Sequence, residues 1–491
     1  MHQVSEVQDI AALLRSRIAL ISINSHDEKG VERLLCDLVR HESRPLFKWS
    51  LTEGLARLDT PMPAQRLHAK PVDALGHIRA VTVPGIYMLA DLHPFLDDPL
   101  HVRLLKDIAL DERHTLVLVS HEISLPLELQ KHSAQVRLAL PDVSELEDIV
   151  RAEARRWSQQ QGVQVKTSPQ ALALLVRNLR GLPRMDVRRL ARNAMADDGA
   201  ITASDLPQVT AAKYRLLGGD GVLQFEHDSV QPDQVAGFSK LKQWLATRRP
   251  FFLGEAEAPG VQRPRGVLLL GVQGCGKSLA ARSVAGAWGI PLLRFDAGAL
   301  YDKYVGESER NLREALGTAQ TMSPCVLWID EIEKGLAAGD GDQGTSKRIL
   351  GSLLTWMSEQ HGAVFLVATA NDIKALPPEL VRKGRFDEVF FVDLPGPQAR
   401  AGALRIHLSR HGADPEQFDL DALVQRSEGF SGAEIEQAVV SAYYAAHALS
   451  QALDTPGLMA ELESTRPLSV LMAEPVAQLR LWAQNRAVPC D

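Results

Sequence analysis

One stretch near the middle of the chain limits what it can fold into more than any other. Residues 271–278 read Gly-Val-Gln-Gly-Cys-Gly-Lys-Ser, which fits the pattern G-x-x-x-x-G-K-[ST]. An apolar run at 267–270 precedes them, and a helical-looking stretch at 279–285 follows. Glycines in such a loop let the backbone turn tightly and aim its N–H groups at phosphate oxygens beside a helix N-terminus. The strand–loop–helix order predicts a phosphate-binding loop on a parallel α/β sheet.

The residue types of this loop predict how it would hold a nucleotide. Lys277 is expected to reach the β- and γ-phosphates of ATP, and the Ser278 hydroxyl is expected to hold Mg²⁺. The expected nucleotide contacts are the loop and the first residue after it: Gly271, Val272, Gln273, Gly274, Cys275, Gly276, Lys277, Ser278 and Leu279.

Two later apolar runs each end in polar residues suited to phosphoryl chemistry. The run 325–329 is continuously apolar, as in a central parallel strand, and it ends at Asp330 and Glu331. Asp330 suits a hold on Mg²⁺ through water, and Glu331 suits the base that polarises an attacking water. The run 364–370 ends at Asn371, whose amide is expected to hold the γ-phosphate and the water in line.

Two further features complete the predicted site. Arg382 and Arg385 follow the Asn371 strand, and an arginine supplied in trans to a transferring phosphoryl group is worth ~10³–10⁵ in rate. A turn containing Val235 and Gly237 lies a short distance ahead of the loop, where its backbone is expected to contact the adenine ring.

The first half of the chain alternates helical patterns with short apolar runs at 18–23, 46–49, 86–90, 115–119 and 136–140, which is typical of an α/β sheet. The run ending at Asp91 parallels the run ending at Asp330, and residues 136–141 parallel 390–395. The chemistry does not repeat, because the first run is followed by Asn-Ser-His-Asp-Glu-Lys-Gly and Asp91 is followed by Leu92 and not by Glu. We interpret this half as a degenerate copy that does not hydrolyse ATP. An unrelated α/β domain is the alternative.

Composition bounds the remaining possibilities. The formal net charge of −7 argues against nucleic acid as an obligate partner. Six arginines at 177–192 could form a nucleic-acid patch, but without interleaved aromatics they fit better a solvated helix face or a surface for an acidic subunit. No apolar run is long enough to span a bilayer, no signal peptide is evident, and the four cysteines lack pair spacing. We therefore expect a cytoplasmic protein.

Residues 233–449 resemble the AAA clade of AAA+ ATPases. The resemblance rests on residues 271–278, 303–309 (Lys-Tyr-Val-Gly-Glu-Ser-Glu), 328–331, Asn371, 382–387 and 429–435. Nearly the whole chain is similar to the AAA family of the ycf type, encoded in plastid, cyanobacterial and other bacterial genomes, through residues 92–99, 376–380 and 465–474. Gln273 and Cys275 depart from many relatives, and a redox role for Cys275 is conceivable. No H-E-x-x-H motif occurs, which excludes a fused zinc protease.

This resemblance implies a homo-oligomeric ring, a hexamer, with ATP at subunit interfaces. Arg382 and Arg385 would then reach the neighbour's γ-phosphate. It also implies that Tyr304 and Val305 lie on a pore loop that grips an extended polypeptide. A packed aromatic at a helix cap is the less favoured alternative for Tyr304.

The predicted fold class is α/β, a P-loop NTPase (AAA+) αβα sandwich with a parallel sheet and a small helical lid. A degenerate AAA+-like α/β domain with its own helical lid precedes it. The predicted domains are 1–142 (degenerate α/β), 143–210 (its lid), 211–232 (linker), 233–396 (ATPase large domain), 397–455 (small helical domain) and 456–491 (helical tail).

Three functional hypotheses follow. The first is an ATPase, with ATP and Mg²⁺ as cofactors, that couples hydrolysis to remodelling a protein substrate. The second is an ATP-dependent regulatory or scaffold switch whose inactive N-terminal half docks partners. A nucleic-acid motor is the third.

Overall fold

The computed structural model describes residues 2–25, 27–40, 44–58, 68–121, 123–138, 140–217, 222–226, 230–296, 307–336, 343–359, 362–382 and 384–491. The chain divides into two compact units, Met1–Ala203 and Ser204–Asp491.

The first unit is built on a six-stranded sheet, followed by a helical bundle with a short two-stranded sheet. Its strands are β1 (Leu20–Asn24), β2 (Leu46–Ser50), β3 (Gly54–Arg57), β4 (Ile86–Ala90), β5 (Thr115–Ser120), β6 (Ser133–Arg137), β7 (Lys166–Thr167) and β8 (Ala200–Ile201). Its helices are α1 (His2–Arg15), α2 (Glu28–Val39), α3 (Pro71–Ala80), α4 (Pro99–Asp111), α5 (Leu127–Gln130), α6 (Val143–Gln161), α7 (Pro169–Leu179) and α8 (Arg184–Met195).

The six strands lie in the order β3-β2-β4-β5-β1-β6, and all neighbours are parallel except the β2–β3 hairpin. Successive side chains of a strand point to opposite faces. Val117 and Val119 of β5 therefore pack in one core with α1 and α2. Leu116 and Leu118 pack in the other core with α3 and α4. The result is a three-layer α/β unit.

Strand β6 lies earlier in the chain than its apolar run, 136–140, predicts. Leu140 is exposed, whereas Ser133 and Ala134 pair with Leu20 and Ile21 of β1. Because β6 is an edge strand with one neighbour, polar residues such as Ser133 can occupy it while facing solvent.

Part of the arginine cluster is paired with carboxylates of its own unit. The Arg184 guanidinium donates to Glu145 on α6, with Nη2 2.8 Å from Oε2. Glu153, also on α6, is only 3% exposed and lies 3.6 Å from the Nε atom of Arg192 and 4.0 Å from that of Arg188. These contacts tie α8 to α6.

The second unit has a seven-stranded sheet and a longer set of helices. Its strands are β9 (Leu223–Glu226), β10 (Gly266–Gly271), β11 (Leu292–Phe295), β12 (Cys325–Ile329), β13 (Val364–Ala370), β14 (Glu388–Val392) and β15 (Val488–Pro489). Its helices are α9 (Leu206–Leu216), α10 (Ser239–Leu253), α11 (Lys277–Trp288), α12 (Glu307–Thr321), α13 (Ile332–Leu336), α14 (Gln343–Glu359), α15 (Pro378–Val381), α16 (Pro397–Arg410), α17 (Leu420–Arg426), α18 (Gly432–Ala448), α19 (Thr455–Ser464), α20 (Leu468–Leu471) and α21 (Ala473–Ala483).

The two large sheets share one strand order. The second runs β15-β14-β10-β13-β12-β11-β9, and its five central strands correspond to β6-β1-β5-β4-β2 of the first. Strand β4 thus holds the position of β12, and β6 that of β14, which are the two pairs that the sequence repeat predicts. Helices α16 to α19 form a separate small core beside this sheet.

Both edges of the second sheet come from segments that the sequence assigns elsewhere. Strand β9 falls within the predicted linker, 211–232, and pairs antiparallel with β11. Strand β15 falls within the predicted helical tail, 456–491, and pairs with β14 through Phe390 and Phe391. The chain's last residues therefore return to the sheet that carries the glycine-rich loop.

Candidate functional site

The glycine-rich loop joins β10 to α11 at the carboxyl edge of the sheet. Gly274 and Gly276 have φ angles of 76° and 85°, which L side chains rarely adopt. A Cβ atom on Gly271 would lie 2.0 Å from the Val392 carbonyl oxygen of the neighbouring strand β14. Glycine is therefore required at these positions for steric reasons, and the backbone N–H groups that open α11 border the loop.

Lys277, the first residue of α11, is folded back onto the loop. Its Nζ atom donates to the carbonyl oxygens of Gly271 and Val272, at 2.9 and 2.8 Å. The side chain is buried, and burial lowers the pKa of its ammonium group. Among the described residues, these two carbonyls are the hydrogen-bond acceptors of the buried ammonium group, which is therefore suited to an incoming anion.

Two carboxylates follow β12 beside this loop. The Ser278 hydroxyl lies 3.4 Å from Oδ1 of Asp330. The Thr369 hydroxyl, on β13, donates to the same Oδ1 at 2.6 Å and accepts from the Glu331 backbone N–H at 2.9 Å. Glu331 has a φ of 48°, an uncommon conformation that this hydrogen bond supports.

The end of β13 fixes the side chain of Glu331. The Asn371 amide donates to Oε1 of Glu331 at 2.8 Å, and Lys334 forms an ion pair with its other oxygen. The Asn371 backbone N–H donates to Glu333 at 2.9 Å. Burial raises the pKa of the Glu333 carboxyl. Asp330, Glu331 and Asn371 are thus brought together, as their positions after neighbouring strands predict.

Sequence reasoning missed Thr369, Glu333 and Arg294. The only signal for Thr369 is a single hydroxyl residue in the otherwise apolar β13, where it is 1% exposed. Arg294 lies on β11, with Nη2 3.8 Å from Oδ2 of Asp330, and its guanidinium stands over the Trp328 ring. A single arginine in a four-residue strand carries no sequence pattern that would predict a role in the site.

A cavity of about 1180 Å³ adjoins these groups. Its lining includes residues 273–279, Asp330, Glu331, Thr369 and Asn371. On the predicted adenine side, Gln234, Ala236 and Phe238 line the cavity, whereas Val235 is packed in the core and Gly237 lies against Asp491 and Ala399. The volume suits a nucleoside triphosphate.

The small helical domain, α16 to α19, contacts the glycine-rich loop directly. The Ala433 N–H donates to the Gly274 carbonyl at 3.2 Å. Ser431 and Glu434 cap the N-terminus of α18 reciprocally, which fixes that contact. The same domain also contributes His407 and Arg410 of α16 to the cavity lining. The sequence analysis did not identify either residue.

The C-terminal segment supplies another wall of the cavity. Ala477 and Arg480 of α21 line it, together with residues 487 and 489–491. Arg480 Nε donates to both oxygens of Asp393, at 3.0 and 2.9 Å. The Cys490 carbonyl accepts from the N–H groups of Lys240 and Leu241 at the start of α10.

Two further predicted residues, Arg382 and Arg385, do not line the cavity. Arg382, the residue after α15, is exposed, and Arg385 donates to the Leu354 carbonyl at 2.6 Å. Neither lines the cavity within one chain. Tyr304 and Val305 lie outside the described residues.

Cys275 is buried in the loop, and burial raises the pKa of its thiol to about 12. Because the thiolate is the reactive form, this environment opposes redox chemistry at Cys275.

Four family profiles match successive parts of the chain. The profile of the ATPase family associated with various cellular activities (AAA) matches residues 267–394, and an AAA+ lid domain matches 417–455. Residues 6–138 match the N-terminal domain of SpoVK-like AAA ATPases, and 144–220 match their second domain. Among the described residues, no helix is both long and apolar enough to cross a membrane.

Individual relatives match either nearly the whole chain or about half of it. The AAA domain-containing protein ycf46 of Guillardia theta is 34% identical over 489 residues, covering 98% of this chain and 95% of its own length. That of Trieres chinensis is 33% identical over 97% of this chain and 96% of its own. The ATP-dependent zinc metalloprotease FtsH 3 of Sphaerobacter thermophilus is 36% identical over 234 residues, 46% of this chain and 47% of its own.

Proposed function

The chain belongs to the AAA ATPase family, among its ycf46-type members, and from this premise we propose that it hydrolyses ATP to remodel a protein substrate. The observation that carries the proposal is the set of hydrogen bonds that holds Asp330, Glu331 and Asn371 together beside the glycine-rich loop.

The loop and its neighbours suit a magnesium nucleotide. Mg²⁺ prefers oxygen ligands and keeps several waters. The Ser278 hydroxyl and the Asp330 carboxylate, 3.4 Å apart, offer such oxygens. Bound Mg²⁺ would neutralise charge on the β- and γ-phosphates. Lys277, now held by two loop carbonyls, is the cation that would exchange those partners for phosphate oxygens.

Glu331 is the residue that we assign as the base. Its carboxylate is fixed by Asn371 and Lys334 and lines the cavity, so it can accept a proton from water. Asn371 would orient that water together with the γ-phosphate.

Replacing Glu331 tests this assignment. In Glu331→Gln, steady-state ATP turnover should fall by about 10²–10⁴-fold, the usual contribution of a general base, while ATP binding persists. Glu257→Gln is the control, because Glu257 is exposed and lies away from the cavity. Equal turnover by wild type and Glu331→Gln would refute the proposal.

We propose further that the active form is a homo-oligomeric ring, a hexamer, in which each site takes Arg382 and Arg385 from the neighbouring subunit. Support comes from their position outside the cavity of their own chain. Arg382→Ala and Glu331→Gln should each be inactive alone, yet a mixture should regain turnover, since mixed interfaces unite intact Glu331 with intact Arg382. A mixture as inactive as its components would contradict the shared site.

A cytoplasmic location is also proposed. It is supported by the four cysteines, which all lie in the described part of the chain and form no disulfide there, as expected in a reducing compartment.

A further inference from the structure

The first unit carries a cluster of polar side chains at the carboxyl edge of its sheet. In the second unit, the corresponding edge carries the proposed ATP site. Strands β4 and β5 occupy the positions of β12 and β13. The Ser120 hydroxyl, at the end of β5, donates to Oδ1 of Asp91 at 2.8 Å, just as Thr369 donates to Oδ1 of Asp330 at 2.6 Å. One carboxylate–hydroxyl pair is therefore retained in both sheets.

In the described part of the loop after β1, a carboxylate occupies the position where a phosphate would be held. The helix after β1, α2, is capped at its N-terminus by Asp27, whose carboxylate accepts from the Gly30 N–H at 2.9 Å. A carboxylate in this position uses a donor that a phosphate would need, and its charge repels an anion. The retained pair thus serves something other than a triphosphate.

Two imidazoles complete the cluster. Nδ1 of His93 lies 2.8 Å from Ser120 Oγ and 3.9 Å from Oδ1 of Asp91. Nδ1 of His121 lies 3.3 Å from the same Ser120 Oγ. The possible ligand atoms of Asp91, His93 and His121 all lie within 4.8 Å of one another.

Two imidazoles and one carboxylate are a donor set with a clear preference. Zn²⁺ and neighbouring divalent transition metals take His nitrogen and carboxylate oxygen, whereas Mg²⁺ prefers oxygen alone. Asp91 and His121 are exposed and His93 is half-buried, so an ion can enter and water can complete its coordination. Ser120 would orient the ligands from outside the metal, as partners of metal ligands commonly do.

We propose that Asp91, His93 and His121 form a binding site for one divalent transition-metal ion of the zinc class, open to solvent at one coordination position. The first unit has then kept the sheet edge of an ATPase and changed its ligand from a magnesium nucleotide to a metal ion held by protein.

The neutral alternative is a hydrogen-bonded cluster in which both imidazoles donate Nδ1–H to Ser120. Such a cluster needs no metal and would be indifferent to it. A metal titration therefore separates the two.

The test uses the full chain, stripped with a chelator and titrated with Zn²⁺ against a competing metal indicator in excess Mg²⁺. Excess Mg²⁺ occupies oxygen sites such as Asp330 without competing at imidazoles. The wild type should bind one tight equivalent. His121→Asn and Asp91→Asn should each lower the Zn²⁺ affinity by at least ~10–100-fold. That is the usual loss when a residue that only hydrogen-bonds to a metal ligand is removed, and loss of a ligand itself should cost no less. Co²⁺ in place of Zn²⁺ should give a visible absorption band that both variants lose.

The matched control is His132→Asn, a histidine of the same unit whose backbone carbonyl, not its ring, pairs with Leu20. It should bind like the wild type, which separates the site from weak binding to the 15 histidines of the chain. Because Asp91 and His121 are exposed, their variants should keep the wild-type circular dichroism. Absence of a tight equivalent, its survival in both variants, or its loss only in Asp330→Asn would overturn the proposal.

Discussion

Thr369 shows how much of the proposed ATP site depends on one hydroxyl. It donates to Asp330 and accepts from the backbone N–H of Glu331. It therefore sets the positions of two adjacent acidic residues, of which Asp330 is proposed to hold Mg²⁺ and Glu331 to act as the base. The residue is 1% exposed, and no water can replace it without a change in packing.

We predict that Thr369→Val, which keeps the shape and removes the hydroxyl, lowers ATP turnover about tenfold or more. The Glu331 N–H would be left without a partner, at a cost of about 1–3 kcal/mol, and 1.4 kcal/mol is a factor of ten in rate. ATP affinity should change little, because Lys277 and the loop remain.

The measurement is kcat beside a nucleotide dissociation constant. Thr321→Val serves as the control, since Thr321 only caps a carbonyl on α12. Unchanged kcat in Thr369→Val would show that the carboxylates hold their positions without it.

At this scale the sequence predicts residues that belong to a pattern and misses those that support it. The glycine loop, Asp330, Glu331 and Asn371 follow recognisable strands. Thr369 and Arg294 approach Asp330 through the register of strands β11, β12 and β13, and a single sequence does not reveal register. Glu333 reaches the Asn371 N–H from α13, a contact that the sequence does not reveal either.

Among the elements, the C-terminal segment is the largest departure from expectation. Its helical spacing predicts packing on the small domain or on a neighbouring subunit. Part of it does pack on the small domain, since Leu458 and Leu462 of α19 lie in that core. The rest goes elsewhere, because α21 lines the cavity beside the glycine-rich loop and β15 extends the sheet beside β14. A two-residue edge strand has no detectable periodicity, which is why the sequence could not place it.

We predict that deleting residues 488–491 weakens ATP binding and lowers the melting temperature. The deletion removes the pairing with Phe390 and Phe391 and both hydrogen bonds that Cys490 accepts from α10. It also opens the cavity to solvent at Pro489 and Asp491, which line it.

Calorimetric titration with a non-hydrolysable ATP analogue measures the effect. Lys374→Ala is the control, because it breaks only the exposed contact from Lys374 to Gln478 on α21. Wild-type affinity after the deletion would mean that the segment covers the cavity without contributing to binding.

For the whole molecule, alkaline pH should weaken the second unit. Burial raises the pKa of the Cys275, Cys325 and Cys490 thiols from 9.0 to about 12. In the unfolded chain these thiols ionise near their ordinary value, so above it the unfolded state has released protons that the folded state keeps. Their contribution to stability is full below pH 9.0, falls as pH rises and is lost at about 12.

The free energy of unfolding in urea, measured at neutral pH and at a pH between 9.0 and about 12, gives this loss. Cys275→Ala should reduce the loss, whereas Cys36→Ala, at a half-buried position in the first unit, should leave it unchanged. An identical pH dependence in Cys275→Ala and wild type would contradict the role of the buried thiol.

The fold class and the family resemblance predicted from sequence are confirmed by the family profiles and the near full-length relatives. Alternating strand and helix patterns predict the parallel α/β sheet, because parallel strands need helical crossovers. The family resemblance rests instead on the glycine-rich loop and the other motifs of residues 233–449. The two sheets also share one strand order, as the predicted internal repeat requires. The domain boundaries stay predictions, and β9 and the last strand lie where composition alone indicates a linker and a helix.

We propose that only the second unit binds nucleotide, and the number of ATP molecules bound per chain tests this proposal. Equilibrium dialysis of Glu331→Gln with Mg²⁺ and ATP should give one nucleotide per chain, and the double variant Lys277→Ala, Glu331→Gln should give none, because the buried cation of the loop is gone. Two nucleotides per chain, or one that survives the loss of Lys277, would contradict the account.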